Sequence, residues 1–150
     1  MDAVQERCDG NFSHGTWHMN RALDLTKNQT LVLEALAGTD GPVSAYTLLD
    51  QLRVHGFRAP LQVYRALDKL MEFGLVHRLE SLNSFVACAH PHEHKHGLTA
   101  FAICDGCGSV DEFSDEVIEK RLRRWAADSN FKLGKTTIEM RGTCAACLPG

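Results

Sequence analysis

The chain has 150 residues, of which 44% are hydrophobic and 23% are charged. This length and composition predict one large or two small globular domains, and they exclude a large multidomain enzyme and a wholly disordered chain. Sixteen Lys and Arg residues against 19 Asp and Glu residues give a formal net charge of -3, so bulk charge does not indicate a nucleic-acid or membrane-surface protein.

The expected location of the protein decides how its cysteines are interpreted. No apolar run approaches the roughly 20 residues of a membrane-spanning helix, and the first residues lack the pattern of a signal peptide. We therefore expect a cytoplasmic protein with no membrane partner. In a reducing compartment, closely spaced cysteines favour a metal site over a disulfide, and this chain has six Cys and eight His residues.

The first helices of the chain can be predicted from their capping residues. Residues 1–22 are polar and show no sustained hydrophobic period, so we expect an N-terminal arm there. Thr26 and Gln29 have the spacing of a capping box, which predicts a helix that runs to about Ala37. Ser44 is a favoured N-cap residue and predicts the start of a second helix.

A third helix and a hairpin complete the N-terminal domain. Pro60 suits the first position of a helix, and Gly74 ends it. Apolar residues at the i, i+3, i+4, i+7 spacing predict the buried face of this helix. They are Val63, Ala66, Leu67 and Leu70. Two β-rich segments at 75–78 and 85–88 follow and predict a hairpin. Three helices and a hairpin are the elements of a winged helix-turn-helix domain, which we place at 23–88.

The exposed face of the third helix is the candidate DNA-reading surface. The last helix before the hairpin of such a domain presents its first residues to base edges in the major groove. Arginine can bind guanine through two hydrogen bonds, and tyrosine can reach a phosphate or a thymine methyl group. The candidate DNA contacts are Tyr46, Arg58, Gln62, Tyr64 and Arg65. A polar helix face is usually only solvated, so its position before the hairpin carries the prediction.

The remaining residues predict a hinge and a second domain. The segment 89–97 is polar, rich in histidine and contains one proline, so we expect a hinge there. Residues 98–150 show the order strand, strand, helix, strand, which predicts a small α/β domain and an α+β fold for the chain. The strands are expected at 99–103, 109–113 and 135–140.

The helix of the C-terminal domain is expected to begin at Ser114 and to bury an apolar stripe. The stripe consists of Val117, Ile118, Leu122 and Trp125. A domain of about 55 residues buries little surface by itself. We therefore expect this domain to gain stability from a metal and from a partner subunit.

Two C-x2-C pairs are the strongest chemical signal in the sequence. Cys104 and Cys107 form one pair, and Cys144 and Cys147 form the other after 36 intervening residues. Two such pairs can complete the tetrahedral cage of four thiolates that zinc favours. A closed cage of this kind has a structural role and leaves no position for catalysis. The alternative is two independent redox-active or buried cysteine pairs.

A second group of possible ligands lies at the junction of the two domains. It contains His77, Cys88, the histidines of 90–96 and the acidic pair Asp111 and Glu112. A metal with ligands from both sides of the hinge would connect the domains. The alternative is a solvated histidine-rich linker that binds metals weakly. Residues 92–96 also match the H-E-x-x-H pattern of zinc proteases, but a flanking proline and glycine argue against the helix that this pattern requires.

These motifs together resemble the ferric uptake regulator (Fur) family. The resemblance covers about residues 24–148 and is carried by Val63–Leu67, the Cys88 and histidine junction, Ile103–Gly108 and the last cysteine pair. Within the family, the chain most resembles the zinc uptake regulators. That further likeness is carried by the segments 44–46, 64–68, 74–77 and 80–84.

The resemblance implies a homodimeric repressor of zinc-uptake genes that binds palindromic double-stranded operator DNA, is not an enzyme and has no small-molecule substrate. It implies two zinc ions per chain, one structural in the four cysteines and one regulatory. The regulatory ligands would be His77, Cys88, His96 and Glu112. His94 is an alternative to His96, because the loop before Cys104 is longer by one residue than the family pattern.

The ligand types at the junction favour zinc as the sensed metal. One thiolate, two imidazoles and one carboxylate form a tetrahedral set, whereas iron and manganese prefer more oxygen and nitrogen ligands. From the sequence, three other functions stay open. They are a related sensor of iron, manganese or peroxide, a zinc metallohydrolase, and a zinc buffer.

Overall fold

The computed structural model describes residues 24–90 and 97–149, so the predicted arm and most of the predicted hinge lie outside the described residues. The first of these ranges contains three helices and a hairpin. Helices α1, α2 and α3 span Lys27–Ala37, Ala45–Leu52 and Pro60–Glu72, and strands β1 and β2 span Val76–Leu79 and Ser84–Ala87. This is the predicted winged helix-turn-helix order, with each strand displaced by one residue from its predicted position. None of the described helices is long and apolar enough to cross a membrane.

Side-chain caps explain where α1 and α2 begin. The Thr26 amide donates to Gln29 Oε1 at 3.0 Å, and the Gln29 amide donates to Thr26 Oγ1 at 3.3 Å, which confirms the predicted capping box. Ser44 begins α2, because its Oγ accepts a hydrogen bond at 3.1 Å from the amide three residues later. A short 3-10 turn, Arg53–His55, follows α2, and Gly56 ends it with a φ of 94°, a conformation that favours glycine.

One apolar core joins the three helices to the hairpin. All four residues predicted for the inner face of α3 are buried in it. Phe85 of β2 is also buried. It forms an isolated antiparallel bridge with Val43 through two backbone hydrogen bonds, with N–O distances of 2.9 and 2.8 Å. Because this bridge ties the hairpin to the segment before α2, the hairpin and α3 are parts of one packed unit.

The C-terminal residues form a three-stranded sheet with one helix. Strands β3, β4 and β5 span Leu98–Cys104, Val110–Phe113 and Thr136–Gly142, and α4 spans Glu116–Asp128. The strand order is β4-β3-β5, with β4 antiparallel and β5 parallel to the central strand. Asp115 caps α4 by accepting two backbone hydrogen bonds at 2.9 Å. These elements confirm the predicted α/β domain and the α+β fold class.

The prediction of a buried stripe along α4 was wrong for the single chain. Val117 is 76% exposed and Trp125 is 55% exposed, and within Glu116–Asp128 only Ala126 is buried. Ile118 is also exposed, while Leu122 is half-buried. The helical period identified the apolar face correctly, but it cannot tell what covers that face. An exposed apolar face of this kind is typical of a subunit interface.

Replacement of Leu67 tests the core of the N-terminal unit. Leu67→Ala should lower the free energy of unfolding by about 2–5 kcal/mol, because the side chain is fully buried and its removal leaves a cavity. Leu61→Ala is the matched control on the exposed side of α3, and we expect a change within about 0.5 kcal/mol. Denaturant unfolding followed by circular dichroism measures both values. Equal losses in the two variants would contradict the described packing.

Candidate metal centres

The four cysteines of the two C-x2-C pairs lie together at one end of the C-terminal sheet. Their Sγ atoms all lie within 4.8 Å of one another. Because β3 and β5 are parallel, the chain leaves both strands at the same edge, with Cys104 at the end of β3 and Cys144 two residues after β5. Cys107 Sγ and Cys144 Sγ are 3.8 Å apart. Zinc–sulfur bonds of about 2.3 Å give a tetrahedral edge of about 3.8 Å, so this spacing fits zinc.

Backbone and side-chain hydrogen bonds hold the two cysteine loops close to each other. The Asp105 amide donates to the Gly142 carbonyl at 2.8 Å, and the Arg141 guanidinium donates to the Asp105 carboxylate at 2.6 and 2.9 Å. A Cβ atom at Gly106 would lie 3.0 Å from both Cβ and Sγ of Cys147. Only glycine therefore permits this approach without a shift of the second loop.

The electrostatics of the four sulfurs also suit a cation. The Cys144 amide donates to Cys104 Sγ at 3.3 Å, and the hydrogen bonds from the Cys144 and Cys107 amides lower the pKa of Cys104 to about 6. Hydrogen bonds with the sulfurs of Cys144, Cys107 and Cys104 favour the protonated thiol of Cys147 and, with a smaller effect from the Cys104 charge, raise its pKa to about 12. A dication would stabilise thiolates at all four positions, so the donor set fits a metal centre.

Three residues of the predicted regulatory site converge between the hairpin and the sheet. His77 lies in β1, Cys88 directly follows β2, and Glu112 lies in β4. Their ligand atoms all lie within 4.8 Å of one another. Glu112 Oε1 is 3.5 Å from His77 Nε2 and 3.5 Å from Cys88 Sγ, and Oε2 accepts a hydrogen bond from the Ala89 amide at 3.0 Å. The C-terminal sheet thus contacts the first strand of the hairpin and the residues directly after the second strand through one carboxylate.

The regulatory group is buried and carries donors that suit zinc. The side chains of His77 and Glu112 are 6% and 5% exposed, and Cys88 is fully buried. Burial and the Glu112 carboxylate raise the pKa of Cys88 to about 12, so the thiol keeps its proton at neutral pH without a cation beside it. Zinc bonds of about 2.0–2.3 Å to nitrogen, oxygen and sulfur correspond to tetrahedral edges of about 3.3–3.8 Å, which match the observed separations.

The remaining predicted ligands fall outside the described residues. These are His96 and its alternative His94, both within 91–96. His90 is described and lies at the surface after β2, and Asp111 is an exposed neighbour of Glu112. Within 24–90 and 97–149, the four-cysteine group and the His77 group are the two candidate metal sites.

The predicted DNA contacts lie on α2, α3 and the turn between them. Tyr46, Arg58 and Arg65 are exposed, as a DNA-binding role requires. Tyr64 is half-buried and its ring packs edge-on against Phe85, with centroids 6.5 Å apart. These four side chains stay predicted DNA contacts.

The structure adds a second role for Gln62. Its Oε1 accepts hydrogen bonds from the amides of Arg58 and Ala59 at 2.7 and 3.1 Å, so this oxygen caps the start of α3. The predicted base contact would use the other atoms of the amide group. The available sequence signal was a Gln three residues after Ala59, which is the capping-box spacing without a side-chain cap at the first position.

Sequence reasoning missed two residues that the structure places at the junction. Phe101 packs edge-on against the His77 ring, with centroids 5.3 Å apart. Glu139 contacts the turn of the hairpin through its carboxylate. Neither residue belongs to a local motif, because both contacts depend on how β3 and β5 pair in the sheet.

The sequence of the chain is similar to known metal-dependent regulators. Residues 20–141 match the model of the Ferric uptake regulator family. The zinc uptake regulation protein of Escherichia coli (strain K12) is 43% identical over 129 residues, which are 85% of this chain and 75% of that protein. The ferric uptake regulation protein of the same strain is 35% identical over 127 residues, which are 82% of each chain.

The fold is similar to that of two solved structures. One is a zinc uptake regulator complexed with zinc and DNA, with 42% identity, a TM-score of 0.79 and coverage of 86% of each chain. The other is holo XcZur, with 43% identity, a TM-score of 0.77 and coverage of 86% of this chain and 89% of that one.

Replacement of Gly106 tests the close approach of the cysteine loops. Gly106→Ala should weaken metal retention by the four cysteines, because the added methyl group collides with Cys147. Gly134→Ala is the matched control, since a Cβ at that position meets nothing within 4 Å. Elemental analysis of zinc-loaded protein after dialysis against a chelator measures the effect. Equal zinc retention in both variants would show that the approach is not required.

Proposed function

Because the chain belongs to the ferric uptake regulator family, we propose that it is a zinc-responsive transcriptional repressor of zinc-uptake genes. The observation that carries the proposal is the convergence of His77, Cys88 and Glu112 between the hairpin and the C-terminal sheet. A sequence identity of 42% to a zinc uptake regulator complexed with zinc and DNA supports zinc as the metal and DNA as the partner. The thiol ligand favours zinc over iron and manganese.

The proposal assigns two zinc ions to each chain. Cys104, Cys107, Cys144 and Cys147 would hold a structural zinc that joins the ends of β3 and β5. Four thiolates leave no open coordination position, which supports a structural and not a catalytic role. His77, Cys88 and Glu112 would hold the regulatory zinc, with His96 or His94 as the fourth ligand. Bound zinc would supply the positive charge that allows the Cys88 thiol to ionise beside Glu112.

Two packed cores support the proposed domain organisation. It consists of an arm at 1–22, a DNA-binding domain at 23–88, a hinge at 89–97 and a dimerisation domain at 98–150. One core lies within the helices and the hairpin. The second core contains Phe101 and Ile103 of β3 and also Leu79 at the end of β1. The two domains therefore meet at the hairpin, which supports a hinge on the short connection that follows it.

The regulatory ligands come from both sides of the hinge, and this gives the mechanism. When His77 and Cys88 share a centre with Glu112, the DNA-binding domain is restricted to one orientation on the C-terminal domain. In a homodimer, restriction of both DNA-binding domains sets the separation of the two α3 helices, which must match two operator half-sites. Loss of alternative orientations raises the apparent affinity for DNA. By linkage, operator DNA raises the affinity for zinc by the same factor.

The charge distribution requires that DNA affinity come from local placement. Residues 1–88 carry 8 basic and 10 acidic groups, so the proposed DNA-binding domain has no net positive charge. Exposed Arg58, just before α3, and exposed Arg65, within α3, would supply positive charge where the helix meets DNA. A homodimer doubles these contacts, and the exposed apolar face of α4 supports such an assembly. A protein that binds operator DNA acts where the chromosome is, so the proposal includes a cytoplasmic location.

Replacement of Glu112 tests the proposed function. Glu112→Gln should raise the free zinc concentration for half-maximal operator binding by about 10-fold or more, because it removes a charged ligand. Asp111→Asn is the matched control, since this neighbouring strand residue projects from the opposite face of the sheet, and we expect a change of less than about twofold. The measurement is fluorescence anisotropy of an operator duplex, selected from random DNA with the zinc-loaded protein, at buffered free zinc. Wild-type DNA binding that does not depend on zinc would contradict the proposal.

A further inference from the structure

The carboxylate of Glu139 connects the C-terminal sheet to the turn of the hairpin. It accepts hydrogen bonds from the amides of Glu80 at 2.6 Å and Ser81 at 3.1 Å. The Ser81 hydroxyl donates a third hydrogen bond to the same carboxylate. Glu139 lies in β5, 58 residues beyond Ser81, and the turn is the 3-10 segment Glu80–Leu82. One side chain thus satisfies three donors at the start of this turn.

The strand register places Glu139 on the same face of the sheet as the regulatory ligand Glu112. Phe101 of the central strand pairs with Glu112 on one side and with Glu139 on the other. Residues directly opposite each other in a sheet project from the same face. Phe101 itself packs against the His77 ring and shares a buried cluster with Leu79. This face therefore contacts the hairpin at three adjacent points, of which Glu112 and Glu139 are the outer two.

Hydrogen bonds from the turn stabilise the charged carboxylate of Glu139, so this contact does not require a metal. Burial tends to raise the pKa of Glu139, but the hydrogen bonds from Ser81 and Glu80 outweigh this effect and hold the pKa below its usual value. The group is therefore ionised at neutral pH, and hydrogen bonds to an ionised carboxylate are stronger than neutral ones. The carboxylate of Glu80 forms its own ion pair with Arg78 Nε at 3.4 Å.

We propose that Glu139 is a positioning residue that anchors the hairpin to the C-terminal sheet and thereby sets the zinc concentration at which the protein binds DNA. The inference rests on the proposed function. Both outer contacts favour the same orientation of the DNA-binding domain, but only the Glu112 contact depends on a metal. The Glu139 contact raises the fraction of zinc-free protein that already has the DNA-binding orientation. Less zinc is therefore required to bring the remaining molecules into that orientation.

Two variants of the full-length protein, with zinc in the four cysteines and the free zinc concentration varied, test the anchor. Glu139→Ala should raise the free zinc concentration for half-maximal operator binding by about 3- to 10-fold, with operator affinity at saturating zinc within about twofold of wild type. Ser81→Ala should give a smaller rise, because both amide hydrogen bonds stay. Glu116→Ala is the control, since it removes an exposed carboxylate of α4 that forms an ion pair with Lys120 of its own helix.

Hydrogen exchange provides a readout of the contact that is independent of DNA. The measurement uses protein without zinc at the hinge site. The amides of Glu80 and Ser81 should then exchange faster in Glu139→Ala than in wild type or Glu116→Ala, because their acceptor is gone. Where Glu139→Ala loses the four-cysteine metal or its helical signal, Glu139→Gln replaces it, since this variant keeps the size of the side chain and removes the charge. It should shift the zinc midpoint in the same direction.

The outcomes separate the anchor from the function on which it rests. Faster exchange with an unchanged zinc midpoint would overturn the anchoring role, and unchanged exchange would overturn the contact itself. If wild-type protein binds DNA equally with and without zinc, the proposed function fails, while the exchange data still decide whether Glu139 holds the hairpin. A raised midpoint together with faster exchange supports the inference.

Discussion

The rest of the structure depends on the contact between the hairpin and one face of the C-terminal sheet. That face presents Glu112 and Phe101 to the hairpin, where they meet His77 and Cys88. The hairpin is itself fixed to the helices through the bridge to Phe85. Whatever holds the hairpin on the sheet therefore also orients α3, the helix with the predicted DNA contacts.

The two candidate metal centres differ in how their surroundings change the pKa values of the cysteine thiols. Amide hydrogen bonds lower the pKa of Cys104 and prepare a thiolate in the cage that joins β3 to β5. Burial beside Glu112 raises the pKa of Cys88, so a bound cation would favour loss of the proton from this thiol. The first arrangement suits a centre that stays filled. The second would make occupancy depend on the available metal, as the proposed sensing role requires.

Local signals in the sequence predicted the elements and several of the residues that the structure brings together at the two candidate metal sites. The capping box of Thr26 and the C-x2-C spacing are short-range patterns. The first is confirmed, and the second predicted the four cysteines that the structure groups together. The apolar face of α4 was identified from its period, but its burial was not, because burial depends on a second surface. Glu139 and Phe101 could not be assigned, since their roles follow from strand register across 58 residues or from ring packing.

The central claim is that zinc at the hinge and DNA at α3 act on one orientation of the domains. Reciprocal linkage tests this claim most directly, through the zinc affinity of the hinge site measured by chelator competition with and without the operator duplex. The account predicts that DNA raises zinc affinity by the same factor by which zinc raises DNA affinity. A zinc affinity that is unchanged by saturating operator DNA would contradict it.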